Sequence, residues 1–357
     1  MDQIVKIVIA GNWRWPQYEK AFAYGLEILG HQVIPFRTTE FFKGFLGKQQ
    51  GALPIPGPAL LRLNAALVRL VNDSKPDLFL AWRCTHLLPS TIKTINSLGV
   101  ETASYNNDDP FGPSIHGNVP RHHHILWYWY LRSLKYFKLN IFYRQLNVAE
   151  ATARGALHAH VLKPYFLPWQ DRPVELTEED KKRFACDVVF VGHYEADGRE
   201  IHLKALAQSG LLVKLFGGGY WTPKALGDSY SYFAPISPVE GDDYTKALCG
   251  AKVCLAFLSR LNRDTYTRRC FEIPACGRVM LAERTDDLLS MFEEDKEACF
   301  FSSTEELVAK AKWLINNPAM ADQIAQAGLR RVWADGHDVK NRATEFILLL
   351  RNNTLDN

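Results

Sequence analysis

Residues 262–283 read NRDTYTRRCFEIPACGRVMLAE. Asp264, the arginines Arg263, Arg268 and Arg269, and a second acid, Glu272, stand at the head of a helix-sized Ile-Pro-Ala-Cys-Gly segment, and Gly277 ends that segment before the apolar run Val279–Ala282. Seven residues separate the two acids. A carboxylate accepts hydrogen bonds from two vicinal hydroxyls, and arginine forks pair with phosphate oxygens. A helix N-terminus adds a favourable partial positive charge for an anion. This set suits a ligand that carries both hydroxyls and phosphates, as a nucleotide sugar does.

Outward from this stretch, strands alternate with helices. Before it, the apolar runs Val5–Ala10, His31–Phe36, Leu78–Trp82, Val100–Tyr105, Leu139–Tyr143 and His160–Tyr165 read as strands, with helices over Gln17–Leu29, Leu60–Val71 and Pro89–Leu98. Around and after it, strands are expected at Asp187–Val191, Leu211–Phe216, Val253–Phe257, Val279–Ala282 and Cys299–Phe301. Helices are expected at Glu200–Gln208, Tyr244–Cys249, Thr304–Asn316, Ala319–Ala327 and Val339–Leu350. Such alternation implies parallel sheets with helices on both faces. Between the two series, Pro168, Pro173 and the charged run 178–183 read as a linker. The expected organisation is a first α/β domain over 1–167, a linker over 168–184, a second α/β domain over 185–335 and a final helix over 336–357.

The 262–283 motif resembles the donor-binding loop of the CgeB-type glycosyltransferases, a branch of the GT-B superfamily related to the retaining family 4. An Arg-x-x-Phe-Glu-Ile-Pro-Ala-x-Gly-Gly pattern recurs there. Arg268, Phe271–Ala275 and Gly277 match it, while Arg278 replaces the second glycine. Asp264 fills the first of the family 4 glutamate positions with a side chain one methylene shorter. The resemblance implies an α/β fold of GT-B architecture, two Rossmann-like domains facing a cleft, with the last helix packing back on the first domain. It implies that Glu272 holds the ribose hydroxyls, Asp264 reaches the donor sugar, and Arg263 or Arg268 meets the diphosphate. Gly192, His193 and Arg199 match the family's glycine and two basic positions after the first strand of the second domain. The plainer reading of Arg199 is a surface charge at a helix start, and of Glu272 an acid stabilising a helix dipole.

In the first domain, Tyr105–Gly112 ends a strand with Asn106 and the paired acids Asp108 and Asp109. Those acids suit either a base or positioning group for an acceptor hydroxyl, or a plain turn fixed by Pro110. Trp82, Arg83, Asn106 and, in the loop after the first strand, Trp13 are the expected walls of the acceptor cleft. His122–His124 read as a solvated loop, since three consecutive side chains rarely converge on one ion; no metal is expected. Residues 110–149 contain no acid, five Lys/Arg and nine aromatics. As one helix, Leu126–Phe137 puts Trp127, Tyr130, Leu131, Leu134 and Phe137 on one face and Tyr128, Trp129, Arg132, Lys135 and Tyr136 on the other. The basic-aromatic face of 121–144 suits either an anionic membrane or lipid-linked acceptor, or ordinary packing at a domain interface.

With 357 residues, 47% hydrophobic and 23% charged, the chain is long enough for two globular domains and is not of a disordered or fibrous class. A net charge of +3 gives no argument for nucleic acid. Seven cysteines, an odd number without metal-type spacing, fit free thiols in a reducing compartment. No secretory leader and no membrane-length apolar run is read, so the expected location is cytoplasmic or at the inner face of the membrane. The functional expectation is a metal-independent hexosyltransferase without cofactor. It moves a sugar from a nucleoside-diphosphate sugar to a hydroxyl of a carbohydrate, glycolipid or other acceptor, with retention. Two rivals stand beside it, a nucleotide-sugar epimerase of the same fold and a non-catalytic scaffold.

Overall fold

Lys6–Gly11 (β1) has no polar side chain after Lys6 and buries five of its six residues. Continuous burial of this kind marks a central strand covered on both faces. Gln32–Arg37 (β2), Leu78–Trp82 (β3), Glu101–Asn106 (β4), Leu139–Phe142 (β5) and Ala159–Val161 (β6) complete a parallel sheet in the order β2-β1-β3-β4-β5-β6. The computed structural model describes residues 4–83, 85–112, 119 and 121–354, without the side chains of Leu46 and Thr354. Cys84 lies outside the described residues; the other six cysteines are buried and free.

The helices of this sheet are Ala21–Ile28 (α1), Gly44–Ala52 (α2), Pro58–Ser74 (α3), Pro89–Ser97 (α4), Arg121–Leu126 (α5), Tyr128–Ser133 (α6) and Gln145–Ala153 (α7). Leu126–Phe137 is therefore not one helix. Trp127 leaves helical geometry at φ −93° and ψ 4°, and a 3-10 turn follows over Leu134–Tyr136. The expected apolar face is nevertheless inside except at Leu131: Trp127, Tyr130, Leu134 and Phe137 are buried, while Leu131 is only partly so. His122–His124 lie on α5 rather than in a loop.

A second parallel sheet has the order β11-β10-β9-β7-β8, from Cys186–Val191 (β7), Val213–Phe216 (β8), Ala251–Ala256 (β9), Val279–Glu283 (β10) and Cys299–Phe301 (β11). Its helices include Glu178–Phe184 (α8), Arg199–Gln208 (α9), Pro223–Leu226 (α10), Tyr230–Phe233 (α11), Asp242–Cys249 (α12), Arg269–Ala275 (α13), Asp286–Met291 (α14), Thr304–Asn316 (α15) and Pro318–Ala334 (α16). Two apolar clusters cover the two faces, one built on Phe184, Phe271 and Phe300, the other on Phe190, Phe257 and Leu281.

The chain divides into two compact units. The first is Met1–Pro164 with Leu261–Arg263 and Val339–Asn357; the second is Tyr165–Arg260 with Asp264–Asp338. Residues 168–184, read as a linker, cluster with the second unit, where Asp171 and Phe184 are buried. Val339–Thr354 (α17) packs on α1 in the first unit, with Phe346 edge-on to Phe22 and the Val339 carbonyl 3.0 Å from where a Cβ on Gly25 would sit. In each sheet the chain reverses direction of growth beside the first strand, between β1 and β3 and between β7 and β9. Ligands of open α/β sheets bind outside the carboxyl ends of the strands at such points.

Candidate functional site

In the second unit, the loops after β7 and β9 meet at the switch point. Ser259 Oγ donates to Glu195 Oε2 at 2.7 Å, and His193 Nε2 lies 2.8 Å from Glu195 Oε1. Burial pushes the Glu195 pKa up, but the His193 hydrogen bond and the Arg199 charge outweigh it and hold the carboxyl below its ordinary value. Arg199, the first residue of α9, is buried and forked onto Asp197, and also donates to the His193 carbonyl at 2.8 Å. The structure thus places Arg199 inside the loop, shaping it, while His193 stays exposed. Gly192 is needed for packing: a Cβ there would stand 2.7 Å from both Arg269 Nη2 and Phe190 Cζ. Arg269 in turn donates to the Val191 carbonyl at 2.6 Å, tying α13 to the end of β7. Trp221 donates to the Gly192 carbonyl at 2.7 Å and is buried against Phe190 and Tyr194, whereas Tyr220 is exposed.

Beside these loops sits a buried polar cluster. Glu272 on α13 accepts from Arg268 on Oε1 and from the Tyr244 hydroxyl on Oε2 at 2.6 Å. Burial, then the Glu272 charge, pushes the Tyr244 ionisation well up, so its hydroxyl remains a donor. The same cluster includes Asp171, which accepts from the Leu167 amide at 2.7 Å through Oδ2 and buries Oδ1 without a hydrogen-bond partner. Burial and the neighbouring Glu272 charge push Asp171 up to about 7. Asp264 closes the loop after β9, its amide donating to the Ser259 carbonyl at 2.9 Å and its Oδ2 accepting from the Ser259 amide at 3.3 Å. Sequence reasoning missed Tyr244, Asp171 and Glu195 as participants: Tyr244 reaches Glu272 and Ser259 reaches Glu195 across 28 and 64 residues, and Asp171 stands in the stretch read as a linker.

In the first unit, the ends of β1, β3 and β4 carry a second polar group. Trp13, Arg83 and Arg263 are three of the five described non-glycine residues with positive φ, at 55°, 48° and 51°. Strained backbone of this type concentrates at ligand sites. Glu19 is buried under the β1 loop and accepts from the Asn12 amide at 2.8 Å; a Cβ on Gly11 would meet its Oε1 at 2.2 Å. Asp109 is fully buried and accepts from the amides of Phe111 and Gly112, from Asn147 Nδ2 and from Arg263 Nε. Arg263 also forks Glu150 at 3.0 and 2.7 Å. Asp109 is thus a fully buried loop anchor with three donors on Oδ1 and Arg263 on Oδ2, and Arg263 is committed to the carboxylates of Asp109 and Glu150. The more accessible acid of the pair is Asp108, which pairs with Arg83 at 2.6 Å. Trp82 is a core residue, edge-on to Tyr105 at 4.4 Å, and Trp13 is buried with Nε1 donating to the Ile9 carbonyl. Asn106 is fully buried at the end of β4 with neither amide atom hydrogen-bonded. Buried polar groups of this kind call for a polar ligand or water.

Among the described residues, no group of three or more His, Cys, Asp or Glu is placed to hold a metal ion. None of the described helices is long and apolar enough to cross a membrane.

Residues 199–347 match a family model described as glycosyl transferase-like, a span that includes the Arg268–Glu272–Tyr244 cluster. No curated protein sequence matches the chain significantly. Among solved structures, sucrose-phosphate synthase from Thermosynechococcus elongatus is similar over 99% of this chain and 100% of its own, with a TM-score of 0.71 at 13% identity. A glycosyltransferase from Rickettsia africae ESF-5 is similar over 99% of both chains, with a TM-score of 0.65 at 11% identity. Anabaena HepE, in complex with UDP and glucose, covers 97% of this chain and 99% of its own, with a TM-score of 0.64 at 13% identity. At these identities the likeness defines the fold: the chain has GT-B architecture, with two Rossmann-like α/β domains.

Proposed function

We propose that the protein is a metal-independent glycosyltransferase of the CgeB type, without cofactor. It moves a hexosyl unit from a nucleoside-diphosphate sugar to an acceptor hydroxyl, with retention. The observation that carries this reading is the Glu272 carboxylate, held by Arg268 and Tyr244 inside the glycosyl transferase-like span. A carboxylate offers about four acceptor positions. Tyr244 and the two Arg268 nitrogens occupy three of them. In the bound state, Arg268 turns from Glu272 to the diphosphate, and ribose hydroxyls take the positions it leaves. Asp264 faces the sugar from the loop after β9. The bond from the anomeric carbon to the diphosphate breaks, the bond to the acceptor oxygen forms, and the acceptor proton leaves with the diphosphate.

The acceptor is a carbohydrate, glycolipid or other hydroxyl-bearing molecule, held at the strand ends of the first unit by Asn106, Arg83 and Asp108. Should the reaction invert, Asp108 is the base, because Asp109 is fully buried and paired with Arg263 while Asp108 is partly exposed. The protein works at the cytoplasmic face of a membrane, with residues 121–144 in peripheral contact.

The test is thermal unfolding with a panel of nucleoside diphosphates and nucleotide sugars, on wild type, Glu272→Ala and Tyr244→Phe. A ligand that binds the folded state raises the melting temperature. A selective shift for one nucleotide, reduced in both variants, is expected. No shift with any nucleotide would overturn the proposal, and epimerisation of the nucleotide sugar without acceptor would replace it with an isomerase.

A further inference from the structure

Two stretches of the first unit lack carboxylates altogether. Residues 41–72 hold four Lys/Arg and residues 110–149 hold five, so together they contain nine of the 42 basic residues and none of the 39 acidic ones. The fold brings their described parts together. Trp129 Nε1 on α6 donates to the Pro54 carbonyl at 2.7 Å, next to Ile55 in the loop between α2 and α3. His86 Nε2 lies 3.1 Å from the Gln50 carbonyl on α2, α2 packs on α3, and α4 packs on α6.

Large apolar side chains stand in solvent on these same elements. Phe45 is 77% exposed, Leu61 60%, Ile55 47%, and Ile125 and Tyr128 41% each. Lys48, Arg62, Arg121, Arg132 and Lys135 are exposed among them, and the Arg132 guanidinium lies 3.5 Å from the Tyr128 ring centroid. In sequence, carboxylates appear only at the margins, at Glu40 and Asp73 for the first stretch and at Asp109 and Glu150 for the second. Of the remaining cations, Lys138 is paired with Glu101 and Arg144 is buried on the Asn107 carbonyl.

We infer that the face made by α2, the 53–57 loop, the first turn of α3 and α5–α6 is a docking surface for an anionic lipid bilayer. Exposed apolar groups enter the boundary between headgroups and acyl chains, and the surrounding cations meet lipid phosphates. Two chemistries at one surface point to this occupant. A nucleic acid satisfies the cations but offers no apolar phase to the aliphatic side chains of Ile55, Leu61 and Ile125. The docking extends the acceptor half of the functional reading, since it presents the first unit to a lipid-borne acceptor, but it does not require that sugar transfer occur.

The experiment is co-sedimentation of the full chain with vesicles of phosphatidylcholine alone and of phosphatidylcholine mixed with phosphatidylglycerol. Variants are Phe45→Ser, Ile55→Ser and the charge-reversed pair Arg62→Glu with Arg132→Glu. The wild type is expected to bind the anionic vesicles, to release them as salt rises, and to ignore the neutral ones. Each cation removed should lower partitioning about fivefold, so the reversed pair should lose binding, while each serine variant weakens it about tenfold or more. Nucleotide-induced thermal shifts, measured in parallel, should stay at wild-type size in every variant; that separates failure of docking from failure of the donor site and shows that the variants fold. Absence of binding to anionic vesicles, or equal binding to both kinds, would overturn the inference. Capture of a single-stranded oligonucleotide in place of vesicles, with the same dependence on Arg62 and Arg132, would reassign the face to nucleic acid and overturn it as well.

Discussion

Tyr244 donates its hydroxyl to Glu272 Oε2 at 2.6 Å, joining α12 to α13 inside the second unit. Tyr244→Phe keeps the ring and removes the donor. A hydrogen bond to a charged group contributes about 1.5–3 kcal/mol, so the variant should melt at a lower temperature and, on the proposed function, bind a nucleoside diphosphate roughly tenfold more weakly. Calorimetric titration and thermal unfolding together read this. Unchanged affinity alongside lowered stability would make the hydroxyl a structural support only.

The Asp109–Arg263–Glu150 cluster predicts a contrast between neighbouring acids. Asp109→Ala strips a buried carboxylate from an arginine whose side chain is only 16% exposed, and strands the donors of Phe111, Gly112 and Asn147. Breaking a buried ion pair in this way costs about 3–5 kcal/mol. Asp108→Ala removes a partly exposed partner of Arg83 and should cost about 1 kcal/mol or less. Thermal unfolding of the two variants compares them directly. Equal destabilisation would contradict the division of labour described for the pair.

Asp171 carries the clearest pH dependence. Burial, then the Glu272 charge, pushes it up to about 7, against a value near 3.9 in an unfolded chain. Between about pH 4 and pH 7 the folded state therefore binds more protons than the unfolded one, and stability falls as pH rises through that window. Asp171→Asn cannot ionise. It should melt above wild type at about pH 8 and lose that advantage toward about pH 4. Parallel melting curves across the range would show that Asp171 ionises normally.

Several elements were legible because their cause is local. Leu78–Trp82 and Cys299–Phe301 are apolar runs bounded by turn residues, and they occur as read. The motif around Glu272 was equally local. What escaped reading depends on partners far along the chain. Leu261–Arg263 clusters with the first unit through Asp109 and Glu150, 154 and 113 residues away, and nothing in the 262–283 stretch announces that. The helix read over Ala319–Ala327 runs from Pro318 to Ala334, straight through Gly328. A Cβ at Gly328 would lie 2.4 Å from the Glu297 carbonyl, so the glycine serves close packing rather than termination. Glycine at a helix end and glycine at a tight contact look the same until the contact is seen.

That ambiguity gives a paired prediction at the loops after β7 and β8. Gly192→Ala drives a methyl group to 2.7 Å from Arg269 Nη2 and Phe190 Cζ, although its φ is not in the left-handed region. Phe190 is fully buried, and Arg269 holds the Val191 carbonyl, so neither yields without disturbing the join between β7 and α13. Overpacking of this kind costs about 1–3 kcal/mol. Gly218→Ala meets nothing within 4 Å and needs no change of backbone, so its effect on stability should stay within about 0.5 kcal/mol. Thermal unfolding of the two alanine variants distinguishes a glycine required by its neighbours from one that merely fills a turn. If Gly192→Ala also weakens nucleotide binding while Gly218→Ala does not, the β7 loop contributes to the donor site through the position of Arg269. If both variants bind as wild type, the contact matters for folding alone and the donor contacts lie nearer Glu272.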